Sequence, residues 1–320
     1  MIQKGGVARM DNLVFIPENP APELVEAIWY KDGDGRKLRV MFAPVSSKFN
    51  PGRGTIILCP GRTEYIEKYF EVIRDMQARG FAVVCFDWPG QGLSDRLVSD
   101  PLVGHIDNFN TYVGALRAGL NAVGDRAIGP HVLLAHSMGG AIGLEAMRQH
   151  AIEVEAAAFS APMWGLKTPP LAGFIAKVMF AIGSAGKSLS KTSEQGVEAF
   201  ENNPVTNDET RHAVNNLLIA AQGKLALGPV SWGWVAAALK VTKGFLRPGV
   251  LDHIKTPILV ASAEEELLVD NASHAELAGR MKGAQHIVVK GAKHEILMET
   301  DKRRAAFYSA FDKLLDRANI

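Results

Sequence analysis

The chain has 320 residues, 47% apolar and 22% charged, with a formal net charge of +1. This supplies enough apolar material for a sizeable core and excludes wholesale disorder, and no Lys/Arg run marks a nucleic-acid surface. No stretch reads as a secretory signal or reaches the length of a membrane span, the apolar run from Leu171 to Gly183 being too short and interrupted by Lys177; cytoplasmic residence is the expectation.

Two strands open the chain, Glu26 to Lys31 and Leu38 to Ala43, joined by the turn-forming Asp32-Gly33-Asp34-Gly35-Arg36 in a hairpin. Strands then alternate with helix-length segments. Strand Thr55 to Cys59 leads to a helix near Ile66 to Arg79 that Gly80 closes, and strand Phe81 to Phe86 runs into the Gly/Pro-rich loop Asp87 to Asp95. Helix Ile106 to Val123, strand His131 to Ala135, a helix starting just after Ser137 and strand Val154 to Ser160 follow. From Ala161 to about Val250 the pattern changes: three of the five tryptophans and several prolines fall here, with helical segments and no convincing strand. An inserted helical cap over residues 161–250 is expected, set into a catalytic core of residues 1–160 and 251–320. Strand Pro257 to Ala261, helix Ala272 to Met281, strand His286 to Val289 and a terminal helix from about Lys302 to Arg317 complete an α/β chain, with a mainly parallel sheet flanked by helices. The two cysteines, Cys59 and Cys85, fall in predicted buried strands outside any metal or disulfide spacing and are expected to pack.

Ala135-His136-Ser137-Met138-Gly139 fits the nucleophile elbow, a sharp strand-to-helix turn that lifts a serine hydroxyl clear of a sheet. Its context, four apolar strand residues before it and a helix with Gly140 and Gly143 after it, makes Ser137 the candidate nucleophile. A serine hydroxyl needs a base within hydrogen-bond reach. Of nine histidines, His294 sits in the loop after the last strand, where the order Ser, acid, His places the base. His136 adjoins the serine and reads as packing; His105, His131, His150, His212, His253, His274 and His286 read as surface or supporting residues. The acid should leave the loop after the preceding strand, where Glu264, Glu265, Glu266 and Asp270 all compete. An oxyanion hole needs two backbone N–H donors, one from Met138 after the nucleophile and one from the stretch Pro60-Gly61-Arg62.

The blocks CPGRTEY from Cys59, DWPGQGLSDR from Asp87, LLAHSMGG from Leu133, AEEELLVDN from Ala263 and KGAKHEILME from Lys290 together resemble bacterial lysophospholipases and the related monoacylglycerol lipases, of the α/β-hydrolase fold. The resemblance covers nearly the whole catalytic core and is weaker in the cap. It implies Glu266 as the acid, where most relatives in the broader family carry aspartate, and Arg62 and Met138 as oxyanion donors. Pro60 stands where the common His-Gly motif has histidine. The reading is a serine hydrolase acting on single-chain lipid esters through an acyl-enzyme, with no metal or organic cofactor implied and with the cap as a surface for peripheral membrane contact. The alternatives are an esterase on small esters and a non-catalytic binding protein of the same fold. The cap's Leu171, Phe174, Ile175, Val178, Met179 and Phe180 lean towards lipid, against an ordinary core-facing stripe.

Overall fold

The computed structural model describes residues 12–169, 171–190 and 199–320. The start of the chain, where no secretory signal is expected, lies outside these residues.

The strands are β1 (Glu26–Lys31), β2 (Lys37–Ala43), β3 (Gly54–Cys59), β4 (Phe81–Asp87), β5 (His131–His136), β6 (Ala156–Ser160), β7 (Ile258–Ala263) and β8 (Ala284–Val289). They form one eight-stranded sheet in the order β1-β2-β4-β3-β5-β6-β7-β8. The expected hairpin makes β1 and β2 antiparallel, β2 is antiparallel to β4, and every later pairing is parallel. The helices are α1 (Phe70–Gln77), α2 (Phe109–Val123), α3 (Met138–Arg148), α4 (Ala172–Ala181), α5 (Glu209–Ala221), α6 (Trp232–Phe245), α7 (Asn271–Arg280) and α8 (Asp301–Arg317). Between β6 and β7 the described residues hold α4, α5 and α6 and no strand of the sheet.

Parallel strands covered on both faces need apolar side chains on both. Successive residues of the central strands accordingly feed two cores. Ile57, Val84, Leu133 and Ala157 pack with α2, α3 and α6, while Ile56, Leu58, Val83, Leu134 and Ala158 pack with α1 and α8. Cys59 and Cys85 are buried in these cores as free thiols.

Boundaries differ where local chemistry is stronger than the apolar period. The expected helix from Ile66 opens as a 3-10 turn over Ile66–Tyr69, and α1 begins only at Phe70. Helix α2 starts at Phe109 because the Asn108 side chain accepts from the Asn110 N–H and caps it. Strand β7 runs two residues further than expected, and β8 starts two residues earlier.

The parallel strands end at one edge of the sheet, so the loops after β3, β4, β5, β6, β7 and β8 gather there.

Candidate active site

Strand β5 ends at His136, and Ser137 caps α3 with φ 49° and ψ −119°. A non-glycine residue in this region carries about 1–3 kcal/mol of strain, which persists only where the surroundings impose it. Close packing does so here. A Cβ on Gly139 would lie 2.1 Å from the Cys59 carbonyl oxygen, and one on Gly143 would lie 2.7 Å from Leu133 Cδ2, so α3 is drawn hard against the sheet. The Ser137 hydroxyl is thereby held at the start of α3, where the helix dipole favours developing negative charge.

His294, in the loop after β8, places Nε2 2.8 Å from Ser137 Oγ and Nδ1 2.8 Å from Glu266 Oε2. A carboxylate only accepts, so Nδ1–H donates to Glu266 and the Nε2 lone pair is left to accept the serine proton. The loop after β7 sorts its four carboxylates by burial. Glu264 and Glu265 are exposed, Glu264 accepting from Gly291 N at 2.8 Å, and Asp270 caps α7 by accepting from Ala272 N. Glu266 is buried, and its Oε1 accepts from Leu268 N at 2.7 Å and Val269 N at 3.1 Å. Burial alone would raise its pKa, but the His294 hydrogen bond and the two backbone donors hold it down to about 2.

Of the two expected oxyanion donors, Met138 is the first residue of α3, and Arg62 lies in the loop after β3, its Nη1 donating to Gly228 O at 2.8 Å. Gly61 brings that loop against the nucleophile: a Cβ there would stand 3.1 Å from Ser137 Cβ and 2.7 Å from Glu64 Oε2.

Segment 161–250 reaches all three loops. Arg62 bonds Gly228, Lys167 Nζ donates to Glu266 O at 2.8 Å, and Glu295 N donates to Val205 O at 2.7 Å.

Beneath the serine lies a layer of buried polar groups that residue patterns did not single out. Glu64 is fully enclosed and accepts from Gly61 N at 2.5 Å and Tyr69 Oη at 2.6 Å. Lys68 Nζ bridges Glu64 Oε1 at 3.0 Å and Glu295 Oε1 at 2.6 Å. Burial opposes the Glu64 charge, but Lys68 and His136 hold its pKa at about 2. His136 is buried in the same layer. Its ring lies 4.9 Å from that of His294, its Nδ1 bonds Ser160 O at 2.9 Å, and burial lowers its pKa to about 4. The i, i+4 pair Glu64 and Lys68 on one turn was the available signal.

His274 is also buried: Nε2 bonds Pro162 O at 2.6 Å and Nδ1 meets Ser262 Oγ at 2.8 Å, which supports the loop after β6. Burial lowers its pKa to about 4.

Residues 50–301 match the family described as Serine aminopeptidase, S33. Over 280 residues the chain is 34% identical to lysophospholipase L2 of Escherichia coli, covering 82% of this chain and 81% of that protein. It is 29% identical over 272 residues to the probable lysophospholipase L2 of Haemophilus influenzae, covering 84% and 86%. Among solved structures, the monoglyceride lipase of Saccharomyces cerevisiae in complex with a substrate analog aligns with a TM-score of 0.74 at 20% identity, over 95% of this chain and 98% of that one. A carboxyl esterase from Bacillus coagulans aligns with a TM-score of 0.70 at 13% identity, over 92% and 99%. These likenesses carry the α/β-hydrolase fold, and with the match over most of its length the chain belongs to the serine aminopeptidase S33 family.

Proposed function

We propose that the protein hydrolyses carboxylic esters of single-chain lipids, lysophospholipids or monoacylglycerols, through an acyl-enzyme on Ser137. The observation that carries the chemistry is the hydrogen-bonded chain Ser137–His294–Glu266. In this reading Ser137 Oγ attacks the ester carbonyl as His294 Nε2 takes its proton, and Glu266 stabilises the imidazolium that forms. The backbone N–H groups of Met138 and Arg62 receive the oxyanion at the N-terminus of α3. The imidazolium then returns the proton to the departing alcohol, and water repeats the sequence on the acyl-enzyme.

The substrate class rests on the names of the relatives and on α4. Its Phe174 is 68% exposed, and Leu171, Ile175, Val178 and Phe180 are exposed beside it. Among the described side chains of α4, Ala176 turns inward to the core and Met179 is half-buried. These exposures favour the lipid reading over a core-facing stripe. Residues 171–190 and 223–250 carry six basic residues, Lys177, Lys187, Lys224, Lys240, Lys243 and Arg247, all exposed, and no Asp or Glu. Exposed apolar side chains on segments that carry cations and no acid suit a lipid surface with anionic headgroups. Residues 161–250 then serve as a cap on a core of 1–160 and 251–320. The enzyme works peripherally from the cytoplasmic face of a membrane; among the described residues no helix is long and apolar enough to cross one.

Burying each further methylene of an acyl chain contributes about 0.8 kcal/mol, or about fourfold in kcat/KM. Efficiency on monoacyl esters, measured below the critical micelle concentration, is expected to climb from short to long chains. A flat or falling series would replace the lipid reading with that of a small-ester esterase.

A further inference from the structure

The loop Asp87 to Asp95 contributes nothing to the chemistry described so far, yet its Gln91 is 3% exposed and lies against the loop that carries Arg62. Gln91 Nε2 donates to Gly61 O at 3.0 Å and to Glu64 O at 3.3 Å, and its Oε1 accepts from Thr63 N at 3.2 Å. Two carbonyls need the nitrogen and one N–H needs the oxygen, so chemistry fixes which way the amide faces. From the other side, Glu64 Oε2 accepts from Gly61 N at 2.5 Å.

We propose that Gln91, together with Glu64, is a positioning residue that presets the Arg62 amide as an oxyanion donor. The inference rests on the acyl-enzyme reading above. Its physical basis is the planarity of the peptide unit. Gly61 C=O and Arg62 N–H belong to one plane and point in opposite directions, so holding the carbonyl towards Gln91 aims the N–H the other way. The Gly61 N–H bond to Glu64 removes the remaining freedom of the glycine to swing that plane. A glycine is required there for close approach to Ser137, and its backbone freedom would otherwise let the donor turn away.

Gln91 can act as a fixed point because its own loop is anchored. Leu93 N donates to Asp87 Oδ2 at 2.8 Å, Ser94 Oγ donates to Asp87 O at 2.8 Å, and Arg39 N donates to Ser94 Oγ at 2.9 Å. Behind them, the fully buried Arg39 guanidinium holds Asp87 at 2.8 Å and Glu67 at 2.7 Å. Buried ion clusters are weak devices for stability, but they fix geometry. Here the geometry runs from Arg39 through Asp87 and Gln91 to the Gly61 carbonyl. A preorganised donor matters most where charge develops, so the effect belongs to the transition state and not to substrate binding.

Gln91→Met keeps the length of the side chain and removes all three hydrogen bonds. Its kcat on a monoacyl ester is expected to fall about 10–100-fold with KM within about twofold, less than complete removal of an oxyanion donor costs. Affinity for an alkyl trifluoromethyl ketone, whose tetrahedral adduct places an oxyanion in the hole, should fall by the same factor. That affinity, read by titration, is insensitive to an unfolded fraction, so partial misfolding cannot imitate it. Glu64→Gln retains an acceptor for Gly61 N–H and should show the same pattern with a smaller loss. If Gln91→Met leaves the ketone affinity unchanged, or raises KM in proportion to any loss of kcat, the clamp is wrong. Hydrolysis that survives Ser137→Ala overturns the acyl-enzyme reading itself, and this inference with it; an inactive Ser137→Ala beside an unchanged ketone affinity in Gln91→Met overturns the clamp alone.

Discussion

The edge of the sheet where the loops gather and the helix α4 of the insertion treat polar and apolar groups in opposite ways. At the sheet edge, polar groups are buried and bonded: Glu266 accepts two backbone N–H groups and His294, and Gln91 satisfies two carbonyls and one N–H. On α4, apolar groups are exposed, Phe174 and Leu171 by two thirds of their surface. Each arrangement is costly in isolation. Burying polar groups requires complete pairing, and a cluster of exposed aromatic and aliphatic side chains invites association. On the reading proposed above, the first cost is offset by a site rigid enough to meet a transition state, the second by contact with an apolar substrate. On that reading the sheet edge governs reaction type and the insertion substrate class, and variants in the two regions should fail differently.

The largest effect is expected at the nucleophile. Ser137→Ala should lose at least about three orders of magnitude in kcat for every ester, short or long, with thermal stability preserved. Steady-state kinetics with a melting curve checks both parts. Turnover near that of the unaltered protein would remove the sheet edge as the reaction centre.

Next comes the acid. Glu266→Gln should lower kcat by about a hundredfold or more, because an amide can present the wrong partner to Nδ1–H and cannot balance an imidazolium. Glu264→Gln and Glu265→Gln should stay within about threefold, being exposed and out of reach of the ring. Equal losses in all three variants would mean that the acid is elsewhere, with Asp270 the next candidate.

In the insertion, Phe174→Asp should leave short esters untouched and flatten the rise of kcat/KM with chain length, a severalfold effect on long chains only. Uniform loss over the series would mean that α4 supports the site and does not read the substrate.

The smallest effect is one of stability. Burial lowers the His274 pKa from 6.5 to about 4, so in that window the unfolded chain binds the proton more readily. The stability that neutral His274 contributes is present above pH 6.5 and is lost as pH falls towards 4. The slope of one such group approaches about 1.4 kcal/mol per pH unit. Denaturant titrations across this window should give a shallower decline for His274→Gln; parallel curves would show that His274 titrates alike in both states.

Much of the sheet edge was legible because the chemistry demands short, ordered signals. An apolar strand running into a serine and a glycine, and a histidine in the loop after the last strand, place Ser137 and His294 before any fold is seen. The proposed acid is not legible from residues alone: Glu264, Glu265, Glu266 and Asp270 all carry a carboxylate, and only the turn that buries every third residue sets Glu266 apart. Resemblance, not spacing, pointed to Glu266. Gln91 is not legible because its partners are backbone groups of a distant loop, which leave no periodic trace, and the Glu64 and Lys68 pair shows only an i, i+4 spacing too common to mark a site. The helix expected from Ile66 differs at its start, where an apolar period continues through a tighter turn. For α4, pattern leans towards lipid without separating it from a core-facing stripe, since an apolar helix face looks the same in sequence whether it meets a core or faces outward.

An acyl-enzyme on Ser137 that serves lipid esters is tested most directly by where a hydroxyl reacts and what competes for it. Labelling the intact protein with a fluorophosphonate, mapping the modified peptide by mass spectrometry and repeating the reaction with rising monoacyl lipid measures both at once. The expected result is a single label on Ser137 whose rate falls as long-chain lipid is added and is little changed by short-chain esters at the same concentration. A label on another residue, no label, or a rate indifferent to long-chain lipid would contradict the account.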